Sequence, residues 1–327
     1  MLKARERPRR EGRAKPIFAY SNLDAIPVLF ALGQMAAIIG AGAKLHDLGA
    51  AGISIYAIVA IILTTTMNHV VIHNFIHTRY FSSAALNFCF ALICSAAVAD
   101  TFTGQMLEHY NHHKHVNDQI DPTTGRTKDS ASTYRFGRWG QHESMWRYSL
   151  LSPLRQIADR PSYNGRRVKM GGRIKAEVAC IMVFWVGIGF LDFRVPLLWV
   201  IILYIAQVLT SAQNYFEHYG PAGKPGKGDS VSCYGRLYNF LWLNNGYHQE
   251  HHFRPGIHWT RLPELRCEMW PEEQRRVVAG AHFFNWPSKT RCVAAPSGLP
   301  ATPRTRLVGA RSVATNRFRG VRRKFWW

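Results

Sequence analysis

The feature that most constrains this chain is a set of four apolar segments, each long enough to cross a lipid bilayer. At the rise of about 1.5 Å per residue in a helix, roughly 20 apolar residues span the hydrocarbon core. The four segments are residues 26–45, 51–71, 174–191 and 195–211. Only a few residues separate the first from the second and the third from the fourth. The sequence therefore predicts two transmembrane helical hairpins in an all-α membrane protein.

A fifth apolar stretch, residues 84–98, is shorter and contains Asn87. We expect a core helix, an interfacial helix or a re-entrant segment there rather than a fifth span. The sequence divides into a basic N-terminal segment over residues 1–23, a membrane domain over 24–286 and a basic tail over 287–327. The tail has no acidic residue. Its composition predicts a disordered segment that lies on anionic lipid.

The charge balance of the chain is strongly basic. It has 41 Lys and Arg residues against 20 Asp and Glu residues, a net charge of +21. At the two tight turns of the hairpins, only Lys44 and Arg194 are basic. The positive-inside tendency therefore predicts an integral, multi-pass membrane protein with both termini in the cytoplasm. Anionic lipid or an acidic protein partner suits this charge, and we expect no nucleic-acid partner for a membrane protein.

Histidine is the chemically unusual residue, because most of the 15 histidines lie in short clusters. Four clusters read His-x-x-x-His, His-x-x-His-His, Asn-x-x-x-His and His-x-x-His-His, at residues 73–77, 109–113, 214–218 and 248–252. On a helix, side chains at i, i+3 and i+4 project from one face, so each cluster directs its polar groups to one side. Under the topology predicted from charge, all four clusters lie at the same membrane face.

Metal binding explains these clusters better than a structural role. A single helical histidine is usually a surface or hydrogen-bonded residue, but packing many imidazoles together is costly unless something binds their lone pairs. Imidazole suits zinc, copper, iron and nickel, whereas a structural zinc site would usually include cysteine. The six cysteines are scattered, with no C-x-x-C pair. Nine facing imidazoles are too many for one ion and about right for two: His73, His77, His109, His112, His113, His218, His248, His251 and His252.

The cluster spacing resembles the three histidine boxes of the membrane fatty acid desaturase and hydroxylase superfamily. The resemblance covers about residues 25–270. It includes the sequence after His252, Phe-Arg-Pro-Gly-Ile-His-Trp-Thr-Arg-Leu-Pro, which is similar to the family's third box region. Within the superfamily the chain is most like a bacterial fatty acid desaturase. The resemblance implies two iron ions as cofactors, in a cytoplasmic helical cap at the ends of the hairpins, with Asn214 as a water-mediated metal contact.

Other polar residues near the clusters are candidates for orienting the imidazoles. His69 lies about one turn before His73 and could bond either to the site or elsewhere in the helix bundle. Glu108, Glu217 and Glu250 each adjoin a predicted ligand, and each could accept an imidazole N–H bond or lie solvated at the surface. Five histidines are given no metal role: His46, His115, His142, His258 and His282.

These residues, with the resemblance, lead to a hypothesis about activity. Oxidation of an unactivated C–H bond needs a cofactor, and the sequence has no nucleotide-binding or haem-attachment motif. We expect O2-dependent oxidation of a lipid acyl chain at a di-iron centre, with desaturation as the reaction. The sequence also lacks a four-cysteine iron–sulfur pattern. A separate electron donor is therefore implied, either ferredoxin or cytochrome b5 with its reductase.

Two alternative functions remain open. Residues 214–220 are similar to a signature of membrane alkane hydroxylases, and Asp118 and Asp121 after the second box resemble carotenoid-oxidising members. The product could therefore be an alcohol. A histidine-rich metal transporter is disfavoured, because transporters place ionisable groups near the bilayer midplane and these histidines lie at the ends of the spans.

Overall fold

The computed structural model describes residues 16–138, 140–159, 171–221 and 227–286. The predicted disordered tail over 287–327 and most of the N-terminal segment over 1–23 lie outside the described residues. The helices are α1 (Ala25–Lys44), α2 (Ala50–Thr66), α3 (His73–His77), α4 (Ala84–Val98), α5 (Phe102–His115), α6 (Met145–Asp159), α7 (Gly171–Leu191), α8 (Arg194–His218), α9 (Arg236–Leu241) and α10 (His248–Phe253). Two short strands, β1 (Ser232–Cys233) and β2 (Val277–Val278), pair in parallel.

Among the described residues, four helices are long and apolar enough to cross a membrane. They cover Asn22–Asp47, Ala50–His77, Gly172–Leu191 and Arg194–His218. Large apolar side chains on them face outward; Phe190, for example, is 87% exposed. Lipid tails are compatible with such an apolar surface, and the helices satisfy their backbone hydrogen bonds internally, as a membrane requires. The predicted fold class, an all-α membrane protein with about four spans, is confirmed.

The fifth apolar stretch forms α4, which packs on α1 and α7. The chain then bends by 91° into α5. Ala99, with φ at 51°, ends α4 in the left-handed conformation. The carboxylate of Glu177 on α7 accepts hydrogen bonds from Thr103 N at 3.0 Å and Thr103 Oγ1 at 2.6 Å. A carboxylate at the first turn of a helix stabilises its unpaired N–H groups. The bend therefore fixes the direction in which α5 carries its histidines.

Buried polar contacts tie the spans together. Gln34 on α1 donates from Nε2 to Thr64 Oγ1 at 3.2 Å and to the Ala97 carbonyl at 3.1 Å, which joins α1 to α2 and α4. Just before α1, Asp24 accepts bonds of 2.9 Å from both His258 Nε2 and Trp259 Nε1. Interhelical hydrogen bonds of this kind matter where no water is available as a partner. His258 therefore has a structural partner, 234 residues away in the sequence.

Candidate metal centre

Two of the long helices continue past their apolar segments and carry histidines at their ends. The second span reaches His77 through a π-helical stretch, Met67–Ile72, whose six residues are all buried. A π turn accommodates an extra residue and is frequent at functional sites. Phe75 packs against Phe90 and Phe102, with ring centroids 4.9 and 4.8 Å apart. This aromatic contact fixes α3 and leaves its histidine face turned away from the core.

Five of the nine predicted ligands form a first group. Their ring nitrogens lie within 4.8 Å of one another: His73, His77, His109, His113 and His251. The Nε2 atom of His113 lies 2.9 Å from that of His109 and 3.2 Å from that of His77. The Nε2 atom of His251 lies 3.0 Å from those of His73 and His113. Three separate helices, α3, α5 and α10, thus contribute to one cluster.

The other four predicted ligands form a second group beside the first. His112, His218 and His252 offer nitrogens within 4.8 Å of one another. The Nε2 atom of His218 lies 3.1 Å from that of His112 and 3.1 Å from that of His248. The rings of His113 and His252 connect the groups, with centroids 4.3 Å apart. All nine imidazoles that the sequence singled out therefore converge in one place.

Hydrogen bonding among the imidazoles cannot satisfy this arrangement. One ring nitrogen carries either one proton or one lone pair, yet the Nε2 atom of His113 faces three other Nε2 atoms at 2.9 to 3.2 Å. Two nitrogens at right angles, each about 2.1 Å from a metal ion, would be about 3.0 Å apart. The observed separations match that value. The residues present therefore fit metal ions.

The protonation state of the imidazoles on α10 also favours metal binding. Burial lowers the pKa of His248, His251 and His252 on α10 well below the usual range, and neighbouring imidazoles lower it further. These rings are therefore neutral at physiological pH. A neutral imidazole has a free lone pair, which is the form that binds metal.

Glu217 is the main hydrogen-bonding centre beside the imidazoles. Its side chain is 1% exposed. Oε1 accepts bonds of 2.9 Å from His69 Nε2 and 3.0 Å from both Gln213 Nε2 and Asn245 Nδ2. Oε2 lies 3.6 Å from His248 Nε2. The structure thus brings together His69 and Glu217, two residues that the sequence proposed for orienting the imidazoles.

Besides Gln213 and Asn245, two aspartates and a histidine near the cluster were missed by sequence reasoning. The Nδ1 atom of His112 lies 2.9 Å from Asp129 Oδ2, and Asp129 is fully buried. Asp229 Oδ2 lies 3.8 Å from His252 Nδ1. His282 Nδ1 lies 3.3 Å from Glu217 Oε1. All three lie outside the four histidine clusters of the sequence, and no sequence spacing connects them to those clusters.

Two of the glutamates proposed from the sequence have other surroundings. Glu250 is buried, but its carboxylate accepts bonds from Ser232 Oγ at 2.7 Å and Tyr234 OH at 2.6 Å. Arg275 Nη1 lies 3.2 Å from the same carboxylate. Among the described residues, the partners of Glu250 are thus not imidazoles but groups that connect α10 to β1 and to the chain before β2. Glu108 lines the cavity described below.

Of the histidines without a predicted role, His142 also has defined contacts. It accepts a hydrogen bond from Gly220 N at 3.2 Å, and Thr133 Oγ1 lies 2.8 Å from its Nδ1 atom. Burial lowers the pKa of His142 to about 4, with a smaller effect from Arg276. His142 is therefore a neutral residue that joins two loops and lies outside both imidazole groups.

A cavity of about 160 Å³ opens beside both imidazole groups. His73, His109, His112 and His248 form part of its wall. Asn214 also lines it and donates from Nδ2 to Tyr148 OH at 2.7 Å. A small molecule in this space would lie directly against the cluster.

The fold and the site together define a class of helical membrane proteins that gather histidines from several helices into a buried cluster able to hold metal. The family model described as fatty acid desaturase matches residues 50–282 of the chain. The chain belongs to the fatty acid desaturase family. It is also similar to a sphingolipid delta(4)-desaturase of Candida albicans (strain SC5314 / ATCC MYA-2876), with 60% identity over 38 residues. That match covers 12% of this chain and only 10% of the relative. The resemblance to a bacterial member in particular stays a prediction.

Proposed function

We propose that this chain uses O2 to desaturate the acyl chain of a lipid at a di-iron centre. The observation that carries the proposal is the convergence of nine imidazoles into two adjoining groups, in a chain of the fatty acid desaturase family. Fatty acid desaturation is an oxidation, so the protein is assigned to the oxidoreductases. The named relative is a sphingolipid desaturase, which adds sphingolipids to the candidate substrates.

The proposal gives each part of the site a role. The five imidazoles of the first group would hold one iron, and the four of the second group would hold the other. When bound, the two irons supply the O2-dependent oxidation of an unactivated C–H bond, which side chains cannot perform alone. Asn214 lines the cavity and could position a water molecule toward the metal.

The chain's own residues prepare the site for this chemistry. Burial keeps the α10 imidazoles neutral, so that their lone pairs are available. Glu217 and Asp129 hold His69 and His112 in fixed orientations through hydrogen bonds of 2.9 Å each. Partners of this kind fix the ring orientation and raise the basicity of a ligand. The cavity admits a section of substrate next to the rings.

The site is proposed to face the cytoplasm, because the basic segments flank the spans on the side that carries the clusters. The net charge of +21 would attract an acidic electron donor such as ferredoxin or cytochrome b5 with its reductase. Exposed Cys267 in the cap gives a test of the orientation. In a variant whose other cysteines are replaced by serine, a membrane-impermeant maleimide should label Cys267 in inside-out vesicles and not in right-side-out vesicles. The reverse pattern would place the site on the opposite side.

Product analysis tests the reaction. Cells that express the chain should accumulate lipids lighter by two hydrogens, relative to cells that express the His251→Ala variant. Under labelled O2, incorporation of one 18O atom into the lipid as the main product would instead identify a hydroxylase, as the resemblance at residues 214–220 suggests. An unchanged lipid profile would count against oxidation of cellular lipids by this chain.

A further inference from the structure

The cavity beside the imidazoles is bordered by carboxamide side chains in unusual number. Asn68, Gln105 and Asn214 each precede a predicted ligand by about one helical turn, on the second span, on α5 and on α8. Gln156 and Gln207 complete the set of carboxamides. Pockets for hydrocarbon are lined mainly by apolar side chains with few polar groups. A cavity that takes only a saturated chain has no use for five carboxamides.

Two of these carboxamides have polar atoms without a hydrogen-bond partner among the described residues. Asn68 is 9% exposed, and within the described part of the chain neither its Oδ1 nor its Nδ2 atom has a hydrogen-bond partner. The Nε2 atom of Gln105 is likewise buried and without a partner there. In contrast, Asn214 donates to Tyr148 OH across the same cavity. Buried amides that lack a partner are destabilising, so groups that persist in this state point to a ligand or to water.

The location of Asn68 strengthens the argument. It lies in the π-helical stretch Met67–Ile72, which directly precedes His73. π turns are uncommon and occur often at functional sites. Here the stretch holds Asn68 and His69 on the same helix segment, with His69 bonded to Glu217 and Asn68 lining the cavity. The segment thus places the carboxamide of Asn68 next to the candidate metal centre.

We propose that Asn68 and Gln105 are specificity-determining residues that hydrogen-bond a hydroxyl or amide group of the lipid substrate. The inference rests on the proposed function and narrows it. Asn68 and Gln105 line the same cavity as His73 and His109, and each lies about one helical turn from one of these histidines. The polar group bound by Asn68 and the carbon presented to the imidazoles therefore lie within a few bonds of each other. The substrate is a lipid oxidised close to an oxygen- or nitrogen-bearing group, rather than in the middle of a plain acyl chain.

Equilibrium binding to the full-length, iron-loaded protein in mild detergent tests this inference without relying on turnover. The probes are radiolabelled N-hexanoyl-sphinganine, which carries an amide and hydroxyls, 3-hydroxystearate methyl ester, which carries a hydroxyl alone, and methyl stearate, which carries neither. We expect the wild type to bind at least one of the two substituted lipids about tenfold more tightly than methyl stearate, the effect of one well-made hydrogen bond. Tight binding of N-hexanoyl-sphinganine alone would indicate recognition of the amide, whereas tight binding of both substituted lipids would indicate recognition of a hydroxyl.

The variants Asn68→Leu and Gln105→Met keep side-chain volume and remove the amide. Each variant should bring the ratio of the affinity for the preferred substituted lipid to the affinity for methyl stearate toward one, with methyl stearate binding unchanged. The control Gln119→Met, at an exposed carboxamide, should keep the wild-type ratio. Equal affinity of the wild type for all three probes, or a ratio that survives both variants, would overturn the inference. Turnover of methyl stearate without such a preference would overturn it and leave the proposed function intact. A binding preference in a protein that oxidises no lipid would support the inference and contradict the proposed function.

Discussion

Replacing His251 with alanine is expected to abolish lipid oxidation and leave membrane insertion intact. His251 is buried, and its Nε2 atom lies 3.0 Å from those of both His73 and His113, inside the first imidazole group. Its removal takes away a proposed ligand from the middle of the group. Loss of an outer partner of a ligand typically reduces activity or metal affinity by about 10- to 100-fold, so loss of the ligand itself should exceed about 100-fold. Turnover of purified protein and iron content per chain are the measurements.

The matched control for His251→Ala is His46→Ala. His46 is exposed at the turn between the first two spans, where it pairs with Asp47 at 3.1 Å. Contacts between exposed polar side chains contribute little to stability, so this variant should keep wild-type turnover and iron. His142 is less suitable as a control, because its bonds to Thr133 and Gly220 join two loops. Wild-type turnover in His251→Ala would contradict the assignment of the first group.

The second large effect is expected at Glu217. Replacement by leucine removes the acceptor that orients His69, Gln213 and Asn245, and it leaves their donors buried without that partner. We expect turnover and iron affinity to fall by about 10- to 100-fold, as for other residues that support metal ligands. Glu217→Gln keeps one acceptor oxygen and should lose less. Iron retained during titration with a chelator measures the affinity directly.

The control for Glu217 is Glu264→Gln. Glu264 is exposed and pairs with Arg261 at 2.8 Å on the protein surface. Its loss removes the same charge without touching the imidazoles, so turnover and iron should stay at the wild-type level. If Glu217→Leu retained iron as strongly as Glu264→Gln, the role of Glu217 in holding the site would be excluded.

Hydropathy was sufficient to predict the four spans, because a long apolar run has few alternatives to a membrane helix. It was less informative about where the helices end. The second apolar segment was expected to end near residue 71, yet the helix continues to His77. Polar residues lower the hydropathy there, but the backbone stays helical since Phe75 packs in the core and the histidines pack on one another. Tertiary contacts, which no sequence window contains, decide that boundary.

The histidine faces were predictable for a local reason. Spacings of three and four residues place side chains together on any helix, whatever the rest of the chain does. The carboxylates that contact the rings were not all predictable, since Asp129 and Asp229 lie in loops and meet their histidines only through the tertiary fold. Glu250, in contrast, adjoins His251 in the sequence and was proposed to orient an imidazole, but it bonds to Tyr234 and Arg275 instead. Adjacency on a helix does not imply a shared face.

Metal analysis of the wild-type chain, purified in mild detergent from iron-replete cells, tests the central claim most directly. Nine imidazoles in two adjoining groups predict two iron ions per chain, bound in the form that oxidises lipid when O2 and reductant are supplied. The His251→Ala protein, prepared in parallel, should contain less iron and show no turnover. Stoichiometric zinc in a wild-type preparation that oxidises lipid would contradict the account, as would full activity with no bound metal.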